Sequence, residues 1–137
     1  MEPRRIAVFF YGLFMDEEIL RAKGAHPANV RPASVAGFAL RIGKRATLLS
    51  APNARAYGIL MELTHDEIEH LYAEASVRAY RPEAVIAEQS DGVRVAALCF
   101  NLVVPPSPEE ANSEYAGKLR DLAQRLSLPG DYVRSIK

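Results

Sequence analysis

The sequence contains one cysteine, Cys99, in 137 residues. A lone cysteine excludes an intrachain disulfide and any cysteine-rich zinc site, and it suits a reducing cytoplasm. Excess charge of either sign is also missing, because 17 Lys and Arg balance 17 Asp and Glu. Proteins that hold nucleic acid need a surplus of cations, so no nucleic-acid partner is expected. Long hydrophobic runs are absent as well. The apolar stretch Ile6 to Met15 is about half of a membrane span, and it runs directly into Asp16-Glu17-Glu18. Although Arg4-Arg5 precede it, no small-residue cleavage site follows, so it reads as a buried first strand rather than an export signal. No membrane partner is expected. Internal repeats, low-complexity tracts and linkers are lacking too.

What remains is a soluble globular composition, 49% hydrophobic and 25% charged. The length is that of one ordinary domain, 1–137, able to bury roughly two-thirds of its unfolded surface. Ile6 to Tyr11 is apolar on both faces and suits a buried strand, punctuated by Gly12. Asp16 is a candidate N-cap for a short helix fading at Gly24, and Ala25 to Arg31 reads as loop. Ala33 to Leu49 suits two strands around Gly43-Lys44. Pro52-Asn53 marks a turn, and Ala54 to Leu63 is a further strand in which Gly58 suggests a bulge or a close backbone approach.

Thr64-His65-Asp66-Glu67 is a capping box that opens a helix ending near Ala75. Tyr80 to Glu88 and Val93 to Val103 form a hairpin across Ser90-Asp91-Gly92. Ser107-Pro108-Glu109-Glu110 then supplies a cap, an N1 proline and a reciprocal glutamate. A C-terminal helix is therefore expected at about 108–127, carrying Tyr115, Leu119, Leu122 and Leu126, with Pro129-Gly130 as its stop. The fold class is α+β, with about six strands and two to three helices.

Two segments could carry chemistry. In Tyr11-Gly12-Leu13-Phe14-Met15 a strand turns through glycine towards a helix, which leaves backbone N–H groups free for a carboxylate or phosphate. The Gly-Lys-Ser/Thr element of a P-loop is absent, and a plain strand-to-helix turn is the alternative. The second is Glu74, at a helix end in an apolar setting, where a carboxylate can become a general base or acid near neutral pH. A solvated helix-end glutamate is the alternative there. His65 and His70 lie about 140° apart around a helix and do not converge on a metal, so no metal site is expected. Cys99 reads as a small hydrophobe on a buried strand, and no nucleophile elbow is present.

Taken in order, these segments resemble the γ-glutamylcyclotransferase family, including its AIG2-like members. Family chains open with a strand ending in Tyr-Gly-Ser/Thr-x-Leu/Met, and Phe9-Phe10-Tyr11-Gly12-Leu13-Phe14-Met15 is similar. Gly37-Phe38-Ala39-Leu40 and Ala56-Tyr57-Gly58-Ile59-Leu60 resemble the next two strands. Glu74 and Tyr80 stand where the family has its glutamate and a strand-opening tyrosine. Pro105-Pro106-Ser107-Pro108, Tyr115 and Leu128-Pro129 before Tyr132 match one branch at its end. The resemblance implies a small mixed β-barrel with flanking helices and a substrate cavity at one mouth. It also implies 5-oxoproline formation from a small γ-glutamyl amide with no cofactor.

In that reading Glu74 takes a proton from the substrate's α-amine, and the Gly12, Leu13 and Phe14 amides grip the α-carboxylate or the developing oxyanion. Tyr11, Tyr80 and Tyr115 shape the pocket, with core aromatics as the plainer alternative. Two departures stand out. Leu13 replaces the small hydroxyl residue, and Tyr72 replaces the aspartate of a Leu-Asp-x-x-Glu stretch, so that Glu74 follows Leu71 by three positions rather than four. Either the helix end is rebuilt to aim Glu74, or this branch has moved or lost its base. Three functions are open at this point: a cyclotransferase, a non-catalytic module that binds a small carboxylate, and an amidohydrolase in which water attacks.

Overall fold

In the computed structural model, which describes residues 3–137, two long antiparallel strands carry most of the wall. They are β2 (Ala28–Ile42) and β3 (Ala46–Thr64). β1 (Arg5–Phe10), β4 (Tyr80–Gln89) and β5 (Arg94–Leu102) complete a closed barrel in the order β1-β3-β2-β4-β5. Four helices flank it: α1 (Glu17–Ala22), α2 (His65–Leu71), α3 (Ser113–Arg125) and α4 (Gly130–Ser135). The expected α+β barrel is therefore present. Among the described residues no helix is long and apolar enough to cross a membrane.

The strand count is five rather than about six because Pro52-Asn53 is not a turn between strands. β3 runs straight through it. Ala36 pairs with Arg55 and Phe38 with Ser50, so residues 51–54 bulge out opposite Gly37. Gly37 has φ +83°, a conformation that glycine adopts without a Cβ penalty. A bulge also tolerates proline, which has no N–H to give to the ladder. Gly58 behaves as a close approach: a Cβ there would lie 2.1 Å from the carbonyl oxygen of Phe10.

β2 begins at Ala28, inside the segment expected to be loop. The barrel is shut by short contacts. β2 meets β4 only at Ala33↔Gln89 and Ser34↔Glu88, while β1 meets β5 in parallel at Val8↔Leu98. Both faces of β1 and β5 contribute to the core, where Val8, Phe9, Leu60, Met61, Leu63 and Cys99 are fully buried.

Local signals act largely as their chemistry dictates. The Asp16 side chain caps α1 through the Glu18 N–H, and Gly24 closes it at φ +90°. Thr64 and Glu67 form the reciprocal capping box of α2. That helix ends at Leu71 rather than near Ala75, and an irregular turn-rich segment follows to Ala79. The C-terminal helix also differs from expectation, starting at Ser113 with Asn112 as its cap rather than at Pro108. The Ser107–Glu110 turn forms, with the Glu110 N–H donating to the Ser107 carbonyl and the Ser107 N–H to the Glu110 carboxylate. It does not propagate, because the Arg41 guanidinium occupies the carbonyls of Ser107 and Glu110 that a longer helix would need. Past Pro129 the chain forms one further short helix, α4, where a stop was expected.

Candidate functional site

The end of β1 carries three consecutive aromatic residues, Phe9, Phe10 and Tyr11, into a tight 3-10 turn, Leu13–Met15. This turn forms one wall of a cavity of about 440 Å³. Tyr72 from the end of α2, Ser76 and Val77 from the following segment, Tyr80 from β4 and Phe100 from β5 line the rest. Lys44, Arg45 and Ala46 enter from the β2–β3 hairpin tip, and Tyr115 from the first turn of α3. The volume is within the range of small-molecule sites.

The turn bonds Met15 N–H to the Gly12 carbonyl and Asp16 N–H to the Leu13 carbonyl. The N–H groups of its first residues precede this ladder, as at the start of any helical segment. The Tyr115 hydroxyl already stands close to them. A Cβ on Gly12 would lie 2.7 Å from that hydroxyl, so glycine is required there for contact with Tyr115. The Leu13 N–H faces the same oxygen and opposes the upward push that burial gives its pKa.

Phenol groups dominate the polar surface of the cavity. The Tyr11 hydroxyl donates to the Phe100 carbonyl at 2.7 Å, and burial drives its pKa strongly upwards. Tyr80 donates to the Ala46 carbonyl, and its pKa is pushed up to about 12 by burial and by Tyr115, against the pull of Arg45. Tyr72 stacks on Phe100, with ring centroids 4.0 Å apart and planes 15° off parallel. It also meets Phe14 edge-on at 5.9 Å. Burial and the neighbouring Cys99, Tyr80 and Tyr115 push its pKa upwards. Cys99 lies behind this wall, fully buried, its thiol pushed up to about 12 by burial and by Glu83. At any ordinary pH these groups are neutral.

Tyr11, Gly12, Leu13, Phe14, Tyr80 and Tyr115 thus come together around one cavity. Met15 does not join them, since its side chain is fully buried in the core below the turn. Glu74 is outside the lining as well. Its carboxylate accepts from Lys23 Nζ at 2.8 Å through both oxygens, on an exposed face. Ala75, four residues after Leu71, is exposed. Among the described residues no Asp or Glu lines the cavity, and the charged residues in its lining are Lys44 and Arg45. His65 faces Glu69 on the outer side of α2.

Sequence reasoning missed Lys44, Arg45, Phe100 and the position of Tyr72. For Tyr72 a signal existed, because it follows Ile68 by four residues and so shares the inward face of α2. The other three reach the cavity only through barrel closure, from a hairpin tip and a distant strand.

Comparison with known proteins agrees with this architecture. The solved structure of a protein described as gamma-glutamyl cyclotransferase superposes with a TM-score of 0.78 at 18% identity, over 98% of this chain and 89% of that one. The human protein loc79017 gives 0.76 at 18% identity, covering 97% and 88% of the two chains. YkqA from Bacillus subtilis gives 0.77 at 21% identity, over 96% of this chain and 52% of its own. No curated protein sequence matches this one. The family model described as gamma-glutamyl cyclotransferase, AIG2-like, matches residues 8–119. With most of its length inside that match and the barrel to go with it, the chain belongs to the AIG2-like γ-glutamyl cyclotransferase family.

Proposed function

We propose that this family member binds a small carboxylate in the aromatic cavity and acts as a binding module rather than through Glu74 as a base. The observation that carries the reading is the cavity's charge: among the described residues its lining holds two cations and no carboxylate, with Glu74 turned outwards to Lys23. Lys44 and Arg45 supply Coulomb attraction at the mouth, and the Gly12 and Phe14 amides of the turn supply donors, beside the Leu13 N–H that faces the Tyr115 hydroxyl. A general base must come within hydrogen-bond reach of the proton it removes, directly or through one water. The tyrosines cannot substitute near neutral pH, because burial keeps their protons on.

Family membership favours a second reading, a cyclotransferase that forms 5-oxoproline. There the α-amine nitrogen attacks the γ-carbonyl carbon, the bond to the leaving amine breaks, and the two protons that the α-ammonium loses in becoming the lactam N–H end on that amine, which departs as an ammonium. Glu74 belongs to the same segment as Ser76 and Val77, which do line the cavity. Serving as base would require this segment to release Lys23 and turn inwards. Hydrolysis would likewise need a base to activate water, and no observation favours it.

The test is 5-oxoproline release from a panel of γ-glutamyl amides, beside calorimetric titration with small carboxylates, for the wild type and Glu74→Gln. Carboxylate binding unchanged by Glu74→Gln, with no 5-oxoproline from either protein, is the expected result. Release by the wild type that Glu74→Gln abolishes would replace this reading with the second.

A further inference from the structure

The geometry points to a narrower class of ligand for this cavity: a planar aromatic acid that carries a carboxylate and no α-ammonium group. This rests on the proposed carboxylate site and adds two requirements, one from charge and one from shape.

The charge requirement follows from what an ammonium group would meet. Buried in a ligand cavity, it needs acceptors and preferably a counter-charge. Among the described residues the lining offers no carboxylate, and two carbonyls of lining residues, Ala46 and Phe100, already accept from Tyr80 and Tyr11. Beside Lys44, outside the lining, the Glu110 carboxylate accepts from the backbone N–H groups of Lys44 and Ser107. Arg45, by contrast, is an exposed cation, and among the described residues neither it nor Lys44 stands within ion-pair distance of a carboxylate. An anion therefore gains a partner at the mouth, whereas an ammonium is repelled there and goes unpaired inside.

The shape requirement follows from the rings. Tyr72 lies flat on Phe100, Phe14 stands edge-on to Tyr72, and Phe10 stands edge-on to Phe14 with centroids 6.1 Å apart. Such a wall presents ring faces and edges in the arrangements that aromatic pairs prefer. A flat ring can join it by offset stacking or edge contact; a puckered aliphatic ring of the same size makes poorer contacts with the faces.

The experiment is a calorimetric titration of the whole chain with cinnamate, benzoate, cinnamamide, cyclohexanecarboxylate, L-phenylalanine and 5-oxoproline, repeated at higher salt and with Arg45→Gln. Cinnamate is expected to bind one to one, about tenfold more tightly than cinnamamide or L-phenylalanine and at least severalfold more tightly than cyclohexanecarboxylate. Arg45→Gln should weaken cinnamate severalfold, reduce its salt dependence and leave cinnamamide unchanged. Tyr72→Leu should remove the preference for cinnamate over cyclohexanecarboxylate.

Equal affinity for all the acids, including 5-oxoproline, would overturn the planar ligand and leave the carboxylate site standing. Tighter binding of L-phenylalanine than of cinnamate would overturn the exclusion of ammonium. Binding by none of the acids would overturn this inference and the carboxylate site together.

Discussion

A methyl group on Gly58 would sit 2.1 Å from the Phe10 carbonyl oxygen and 2.9 Å from the Phe9 ring. The first obstacle is backbone inside the β1–β3 ladder, so nothing flexible can give way. Gly58→Ala is expected to cost about 1–3 kcal/mol, as overpacking does, measurable as a lower urea midpoint. Gly12 presents the opposite case, because its obstacle is the far end of the Tyr115 side chain. Gly12→Ala should disturb the cavity more than the fold, and Tyr115→Phe in the same chain should restore part of the lost stability. A double-mutant cycle reads that coupling. Glu74→Gln removes one partner of an ion pair whose side chains are 28% and 42% exposed. Solvent screening limits its loss in stability to within about 1 kcal/mol, and Lys23→Gln in addition should cost little more.

At the scale of elements, the β2–β3 hairpin tip and the segment before α3 hold each other. Pro106 packs on Gly43, Arg41 binds two carbonyls of the segment, and Glu110 accepts from the Lys44 and Ser107 N–H groups. These two backbone donors, Lys44 first, hold the Glu110 carboxyl below its ordinary value of 4.5. A depressed acid stabilises the fold above the unfolded pKa and ceases to do so as pH falls through the folded one. The clasp should therefore loosen below about pH 4.5, where amide exchange at Lys44 and Ser107 should quicken before global unfolding, and Glu110→Gln should remove that pH dependence.

The same segment shows where local reading stops. Caps at Asp16 and Thr64, the β4–β5 hairpin with Gly92 at its turn and the close approach at Gly58 were legible because each is decided by neighbouring residues. The Ser107–Glu110 signal reads as a helix start, and half of its capping box forms, the Glu110 carboxylate accepting from the Ser107 N–H, while the Glu110 N–H goes to the Ser107 carbonyl. Arg41, more than sixty residues earlier, determines that these bonds end as a single turn. Pro52-Asn53 was misread for a similar reason, since a bulge in β3 is set by its register with β2.

For the molecule as a whole, the lining of the candidate cavity was legible where sequence neighbours build it, at Tyr11 and Gly12, and at Tyr80 through the family resemblance, and illegible where closure builds it. Arg45, Tyr72 and Phe100 meet only because the barrel brings a hairpin tip, a helix end and a central strand to one hollow. Burial raises the pKa of Tyr11, Tyr72, Tyr80, Tyr115 and Tyr132, and the last is pushed up to about 12. Groups that stay protonated in the fold but ionise in the unfolded chain stabilise it fully below about pH 10 and less as pH rises towards the folded values. Alkaline unfolding above about pH 10 is therefore expected, with several phenols ionising together in the same transition, as followed by phenolate absorbance. The cavity's composition has an optical consequence as well. The chain has no tryptophan, and Tyr11, Tyr72, Tyr80 and Tyr115, four of its six tyrosines, face the one hollow. Its near-ultraviolet circular dichroism and tyrosine emission therefore arise largely from the cavity wall, so that the unlabelled protein signals by its own light whether that hollow is filled.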